Sequence, residues 1–278
     1  MEHKEGTFAG HDGLELFYQC WLPEEEPRAT VVIAHGLGEH GGRYPHLVSP
    51  LVPQGFAIYA LDHRGHGRSA GPRGFIKSWA DFREDLRLFV QLVQNEMGGR
   101  PLFLYGHSMG GGISAAYALQ YPQGLDGVIL SAPAVGKLDV PPLLALISRL
   151  LSGIAPGLSI STGLEAAAIS RDPAVVDAYL HDPLVHDKGT PRLAVELSKS
   201  GLRSMEDAAR FQPPLLLLHG DADRLVNVQA SRDFYAAVPH DQKTLIIYEG
   251  GYHEPHNDIE HERVVQDIAA WLEKQLAS

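Results

Sequence analysis

The pentapeptide Gly106-His107-Ser108-Met109-Gly110 constrains this chain more than any other stretch, because an apolar run, Leu102 to Tyr105, leads into it and a small-residue helical pattern follows. That order reads as strand, sharp turn, helix. A serine on such a turn is lifted out of the sheet with its hydroxyl exposed, and glycines flank it because side chains there would collide across the turn. Ser108 is therefore a candidate nucleophile. A chain with 29 glycines meets the Gly-x-Ser-x-Gly pattern easily by accident, so the context has to carry the assignment.

Short apolar runs alternate with helix-period segments along most of the sequence. Thr30–Ala34, Phe56–Leu61, Leu102–Tyr105, Val128–Leu130, Leu215–Leu218 and Leu245–Tyr248 read as strands buried on both faces of a parallel sheet. Trp79, Phe82, Leu86, Phe89, Val90 and Val93 recur at helical spacing, as do Val264, Val265, Ile268 and Leu272. Phe8 and Leu14–Tyr18 flank a turn at His11-Asp12-Gly13, which predicts an antiparallel hairpin ahead of the parallel series. The expected fold class is α/β, with a mostly parallel sheet of about eight strands flanked by helices.

Strand punctuation fails between residues 133 and 213. The expected division is a core of residues 1–133 and 213–278 with a helical cap inserted at 134–212, lying over the carboxyl ends of the strands. Helices are expected around Asp172–Leu180 and Arg192–Phe211. Seven of the nine residues from Leu143 to Leu151 are apolar, more than one buried stripe needs, and the run is expected to break at Gly153 and Pro156. Such a surface either meets membranes or lipid aggregates or packs on the core or on a second subunit.

A serine hydroxyl is a poor nucleophile at neutral pH and needs a base, with a carboxylate to orient that base. On a strand-turn-helix elbow the partners follow the nucleophile in the order acid, then histidine, each after a later strand. Leu215–His219 is followed by Gly220-Asp221-Ala222-Asp223, and Leu245–Tyr248 by Glu249-Gly250-Gly251-Tyr252-His253. Asp223 is favoured over Asp221 because it lies further beyond the strand and precedes the loop that opens the Asn227 helix; Asp221 reads as a turn residue bonding local backbone. His253 directly follows a strand and a glycine pair, which favours it over His256 and His261. Acyl transfer also needs donors for the oxygen that becomes negative. The amide of Met109 is one by construction, and the amide of Leu37, in His35-Gly36-Leu37-Gly38, is the expected second. An aspartate at position 108 would imply dehalogenase or epoxide-opening chemistry; a serine points to esters.

Composition closes off other classes. A net charge of −11 gives no footprint for phosphate backbones, so no nucleic-acid partner is expected. No window approaches the roughly 18 apolar residues of a membrane span. One cysteine, Cys20, and a start without an apolar signal core make a cytoplasmic protein the expectation. His253 and His256 lack the spacing of a metal site, because Pro255 disfavours a helix that would align them, and neither a metal nor a cofactor is expected.

His35-Gly36-Leu37-Gly38-Glu39-His40-Gly41-Gly42-Arg43-Tyr44, the run Asp62-His63-Arg64-Gly65-His66-Gly67-Arg68-Ser69, the elbow with Gly111-Gly112, and Tyr252-His253-Glu254-Pro255-His256 together resemble the monoacylglycerol lipase and lysophospholipase-like branch of the α/β-hydrolases. The cap run Asp177-Ala178-Tyr179-Leu180-His181-Asp182-Pro183-Leu184 resembles it too. The resemblance implies an α/β-hydrolase fold, a small lipid ester as substrate, and a polar headgroup pocket mapping onto Glu39, Arg43, His107, Tyr179 and His256. General carboxylesterases, lysophospholipases and non-catalytic ligand receptors share the same scaffold. Pro255 departs from the family pattern, where an apolar residue other than proline is expected.

Overall fold

A computed structural model describes residues 1–277. In chain order its main elements are β1 (Glu2–Ala9), β2 (Glu15–Leu22), β3 (Ala29–Ala34), α1 (Pro45–Leu51), β4 (Phe56–Leu61), α2 (Trp79–Glu96), β5 (Leu102–His107), α3 (Met109–Gln120) and β6 (Gly127–Ser131). There follow α4 (Pro142–Ile154), β7 (Ile160–Ser161), α5 (Pro173–His181), β8 (Lys188–Gly189), α6 (Pro191–Glu206), β9 (Leu215–Gly220), α7 (Val228–Ala237), β10 (Lys243–Tyr248) and α8 (His261–Leu276).

Eight strands form one sheet in the order β1-β2-β4-β3-β5-β6-β9-β10. β2 pairs antiparallel with both β1 and β4, and every pairing from β4 to β10 is parallel. The continuous apolar runs are the parallel strands because both faces of the sheet are covered. Alternate residues go to opposite sides: Val32, Leu104 and Leu217 pack with α2, α3 and α7, whereas Ile33, Tyr105 and Leu218 pack with α1 and α8. α2 starts at a capping box, in which Ser78 and Asp81 satisfy each other's orphan backbone donors.

Each strand expected from an apolar run is present and is lengthened by at most two residues at either end. The interval between β6 and β9 differs in detail from expectation. α6 stops at Glu206 and tightens into a 3-10 turn at Ala208–Arg210, so the helix is shorter than the 192–211 periodicity implied. α4 runs through Gly153 to Ile154, since a glycine in the last turn costs a helix little. The short antiparallel pair β7-β8 has strands of two residues, too short to show any alternation.

Hydrogen bonds tie this interval to loops at the carboxyl ends of the strands. The His186 amide donates to the Gly38 carbonyl at 2.8 Å, and the Glu254 amide donates to the Ile169 carbonyl at 2.8 Å. His40 Nε2 lies 2.8 Å from Asp182 Oδ2, and Arg171 Nε donates to Asp258 Oδ2 at 2.8 Å. Residues 160–190 therefore lie against the loops that follow β3 and β10. No helix among the described residues is long and apolar enough to cross a membrane.

Candidate active site

Ser108 stands between β5 and α3 at φ 53°, ψ −117°, a backbone region that costs a side-chain-bearing residue about 1–3 kcal/mol. Three hydrogen bonds hold it there. Its amide donates to the Ser131 carbonyl at 3.0 Å, and its carbonyl accepts the amides of Gly112 at 3.0 Å and Ala134 at 2.9 Å. The turn also requires close approach: a Cβ at Gly110 would run into the carbonyl oxygens of Ala34 and His35 on the neighbouring strand end.

Three side chains from three strand ends meet here. His253 Nε2 lies 2.9 Å from Ser108 Oγ, and His253 Nδ1 lies 2.7 Å from Asp223 Oδ2. A carboxylate can only accept, so Nδ1 carries the ring proton and Nε2 presents its lone pair to the serine hydroxyl. Asp223 Oδ1 accepts the amides of Leu225 at 2.7 Å and Val226 at 3.0 Å. His219, at the end of β9, also reaches Asp223 Oδ2, at 2.9 Å. Burial would raise the Asp223 pKa, but the His253 charge and the two imidazole hydrogen bonds win and hold it well below the usual carboxylate range. Burial likewise pulls the His253 pKa down, and the Asp223 carboxylate overcomes it, so the net shift is upward.

Asp221 is outside this set, and its partner is not the local backbone. Its Oδ1 accepts the Gly250 amide at 2.6 Å, so it links the β9 loop to the β10 loop that carries His253. His261 opens α8 and stacks on His46 with ring centroids 4.0 Å apart, away from the serine.

On the other side of Ser108, Glu39 Oε1 accepts the Gly36 amide at 2.6 Å and closes the turn that carries Leu37. The amides of Leu37 and Met109 have no protein acceptor among the described residues. For Met109 the reason is general, since the first amides of a helix have no intrahelical partner. Two free donors beside an activated hydroxyl can stabilise a tetrahedral oxyanion.

The cavity at Ser108 measures about 20 Å³, room for about one water. Leu37, Glu39, His107, Tyr179 and His253 line it, and Leu164 and Ile169 close it from the inserted segment. Of the five residues expected at a headgroup pocket, Glu39, His107 and Tyr179 are in this wall, while Arg43 and His256 stand behind it. Arg43 donates to Glu39 Oε2 at 2.9 Å and to both oxygens of Glu254 at 2.8 and 2.9 Å, and lies over the Tyr179 ring at 4.7 Å. Burial raises the Glu39 pKa against the pull of Arg43; in Glu254 the Arg43 charge and its two hydrogen bonds overcome burial, and the pKa is lowered. Pro255 starts a 3-10 turn that carries His256 inward, where it stacks on Tyr44 at 4.8 Å. Burial holds the His256 pKa down at about 3.

Sequence reasoning gave no role to His219, to Glu254 or to the strap from Asp182 to His186, although Glu254 and Asp182 stand in runs that carry the resemblance. His219 had a signal, a histidine ending a run of four leucines. The strap's bonds to Gly38 and His40 had none, because they join residues more than 100 positions apart.

A strained serine elbow on a parallel sheet, with an acid and a histidine on later strand ends, defines a serine-type α/β-hydrolase. The pattern of the family described as serine aminopeptidase, S33, matches residues 25–260, and the chain belongs to that family. It is 41% identical to the monoacylglycerol lipase of Mycolicibacterium smegmatis over 274 residues, 98% of either chain. The crystal structure of Paleococcus ferrophilus monoacylglycerol lipase superposes with a TM-score of 0.83 at 35% identity, covering 99% of this chain and 100% of the other. A soluble variant of the Saccharomyces cerevisiae monoglyceride lipase, in complex with a substrate analog, superposes with a TM-score of 0.88 at 26% identity, over 98% and 94%.

Proposed function

We propose that this chain is a serine ester hydrolase that cleaves monoacylglycerol to glycerol and a free fatty acid. The observation that carries the reading is the continuous line Ser108–His253–Asp223, at 2.9 and 2.7 Å, beside two unpartnered amides. Ser108 Oγ attacks the ester carbonyl while His253 Nε2 takes its proton. The amides of Leu37 and Met109 donate to the oxyanion. His253 returns the proton to the departing glycerol oxygen, and water, deprotonated by the same nitrogen, hydrolyses the acyl-enzyme. Asp223 stays ionised throughout and holds the tautomer. Every proton and electron pair in this course belongs to the chain, the ester or water.

Relatives that are monoacylglycerol lipases support the choice of ester. In this reading Glu39, His107 and Tyr179 meet the glycerol hydroxyls, and Arg43 and His256 hold them from behind. Residues 134–212 act as a cap, which has to move because a cavity of about 20 Å³ admits no glycerol ester. The exposed apolar face of α4 is the surface that meets lipid aggregates or membranes. A single buried cysteine supports a reducing, cytoplasmic setting.

The deciding experiment measures kcat/KM on monoacylglycerol, diacylglycerol, lysophospholipid and small aryl esters, with wild type and Ser108→Ala. Monoacylglycerol is expected to lead, and Ser108→Ala to lose about 10³-fold or more. A lead for lysophospholipid or aryl esters would overturn the substrate, and an active Ser108→Ala would overturn the mechanism. Failure of a fluorophosphonate to label Ser108 would favour a ligand receptor.

A further inference from the structure

The Asp223 carboxylate is held by a second histidine that the reaction course leaves unused. His219 is fully buried at the end of β9. Its Nε2 lies 2.9 Å from Asp223 Oδ2 and 3.1 Å from the Val226 carbonyl oxygen. Both partners are acceptors, so Nε2 carries the hydrogen. Nδ1 is then the acceptor for the hydroxyl of Ser231 on α7, 2.7 Å away and itself fully buried. The tautomer is fixed from both ends.

Asp223 Oδ2 thus receives two imidazole N–H donors, one from His253 and one from His219, while Oδ1 receives two backbone amides. A carboxylate bound in this way cannot rotate, and each donor spreads its charge. We propose that His219 is a positioning residue of the proton relay: it holds Asp223 in register with His253 and, by sharing the carboxylate's charge, sets how basic His253 is. The inference rests on the assignment of Ser108, His253 and Asp223 as the triad.

Other groups also face the relay. Glu254, beside His253, and Glu39, from the β3 loop, both raise the His253 pKa. His107, at the end of β5, has its ring 4.8 Å from that of His253, and His256 lies beyond it; burial keeps both neutral. None of these four bonds to the Asp223 carboxylate, whose hydrogen-bond partners among the described residues are His219, His253, Leu225 and Val226. Changing His219 therefore acts on the relay through Asp223. Loss of its donor leaves more of the carboxylate's charge facing His253, which makes His253 a stronger base that stays protonated to higher pH.

The test compares His219→Leu, which removes the donor while filling the space, with His219→Gln, whose amide N–H can replace Nε2–H. Rates are taken per active site, counted by fluorophosphonate labelling of Ser108. In the leucine variant the acid limb of kcat/KM is expected to move up by about 0.5–1 pH unit, and kcat to fall about tenfold with KM nearly unchanged. Glutamine should restore the limb, and kcat to within about threefold of wild type. Ser231→Ala, which frees the tautomer, should move the limb upward by less. A leucine variant with the wild-type limb and per-site kcat, even one that melts earlier, would make His219 a packing residue and overturn the proposal. Should the leucine variant not fold, an unmoved limb in Ser231→Ala has the same force. The triad assignment fails separately, on hydrolysis that survives Ser108→Ala.

Discussion

Three imidazoles lie in a row at this site, and one of them is suited to take a proton at neutral pH. His256, His107 and His253 follow one another at centroid distances of 4.9 and 4.8 Å. All three are buried, and burial alone pulls an imidazole pKa down, as it does for the first two. His253 differs because its Nδ1–H meets Asp223, whose charge raises its pKa past the loss from burial. In the proposed course the base form is the active one, so kcat/KM should fall tenfold per pH unit below a midpoint higher than the ordinary imidazole value of about 6.5. A pH profile on a soluble ester measures this, and a midpoint at or below the ordinary value would remove Asp223's assigned effect. Residue types and their order along the chain were enough to pick out Ser108, Asp223 and His253 as three side chains that the fold brings together. Nothing in the sequence could separate the protonation of His107 from that of His253, because the difference comes from a carboxylate 30 positions before His253 that bonds the His253 ring and not that of His107.

α4 turns its small side chains inward. Ser148 and Ser152, one turn apart, are its buried residues, while Leu143, Leu146, Leu150 and Ile154 are 70, 55, 59 and 82% exposed. Those four positions lie on one stripe. Leaving such side chains in water forgoes about 1.5–3 kcal/mol each, which accords with the proposed lipid-docking role. Glutamate at Leu143, Leu146 and Leu150 together should abolish co-sedimentation with phosphatidylcholine vesicles and lower hydrolysis of emulsified monoesters about tenfold, with hydrolysis of soluble short-chain esters and the melting temperature unchanged. Equal losses on soluble and emulsified esters would overturn the docking role. The apolar excess of this run was legible in the sequence. Which face it would bury was not, since seven apolar residues in nine are compatible with a core helix until the partner, α6, is known.

At the scale of the whole molecule, residues between β6 and β9 line the cavity at Ser108 and hydrogen-bond the turn that carries Leu37. The His186 amide bonds the Gly38 carbonyl, and Asp182 bonds His40 on the same turn. Gly38 has φ 79° and sits so close beneath His186 that a Cβ would strike its carbonyl oxygen. Gly38→Ala should therefore push the turn and the segment apart. Misplacement of a donor by about 1 Å costs about 10²-fold, so kcat should fall on that order while Ser108 still binds ester with KM changed little. Kinetics on a soluble ester together with thermal melting decide this. Wild-type kcat in a folded Gly38→Ala protein would separate the strap from catalysis.

The sequence by itself determined the parallel sheet, the serine elbow and the order in which Ser108, Asp223 and His253 follow successive strands. Apolar runs, turn glycines and strand-end positions are local properties, and a strand that ends in a loop delivers its residue to the same edge of the sheet as its neighbours. The tertiary structure alone decided which groups share the Asp223 charge, how Arg43 is divided between Glu39 and Glu254, and how tightly the inserted segment covers Ser108. Those are contacts between residues far apart in the chain, and their energies depend on distance and on the exclusion of water, which only the packed fold supplies.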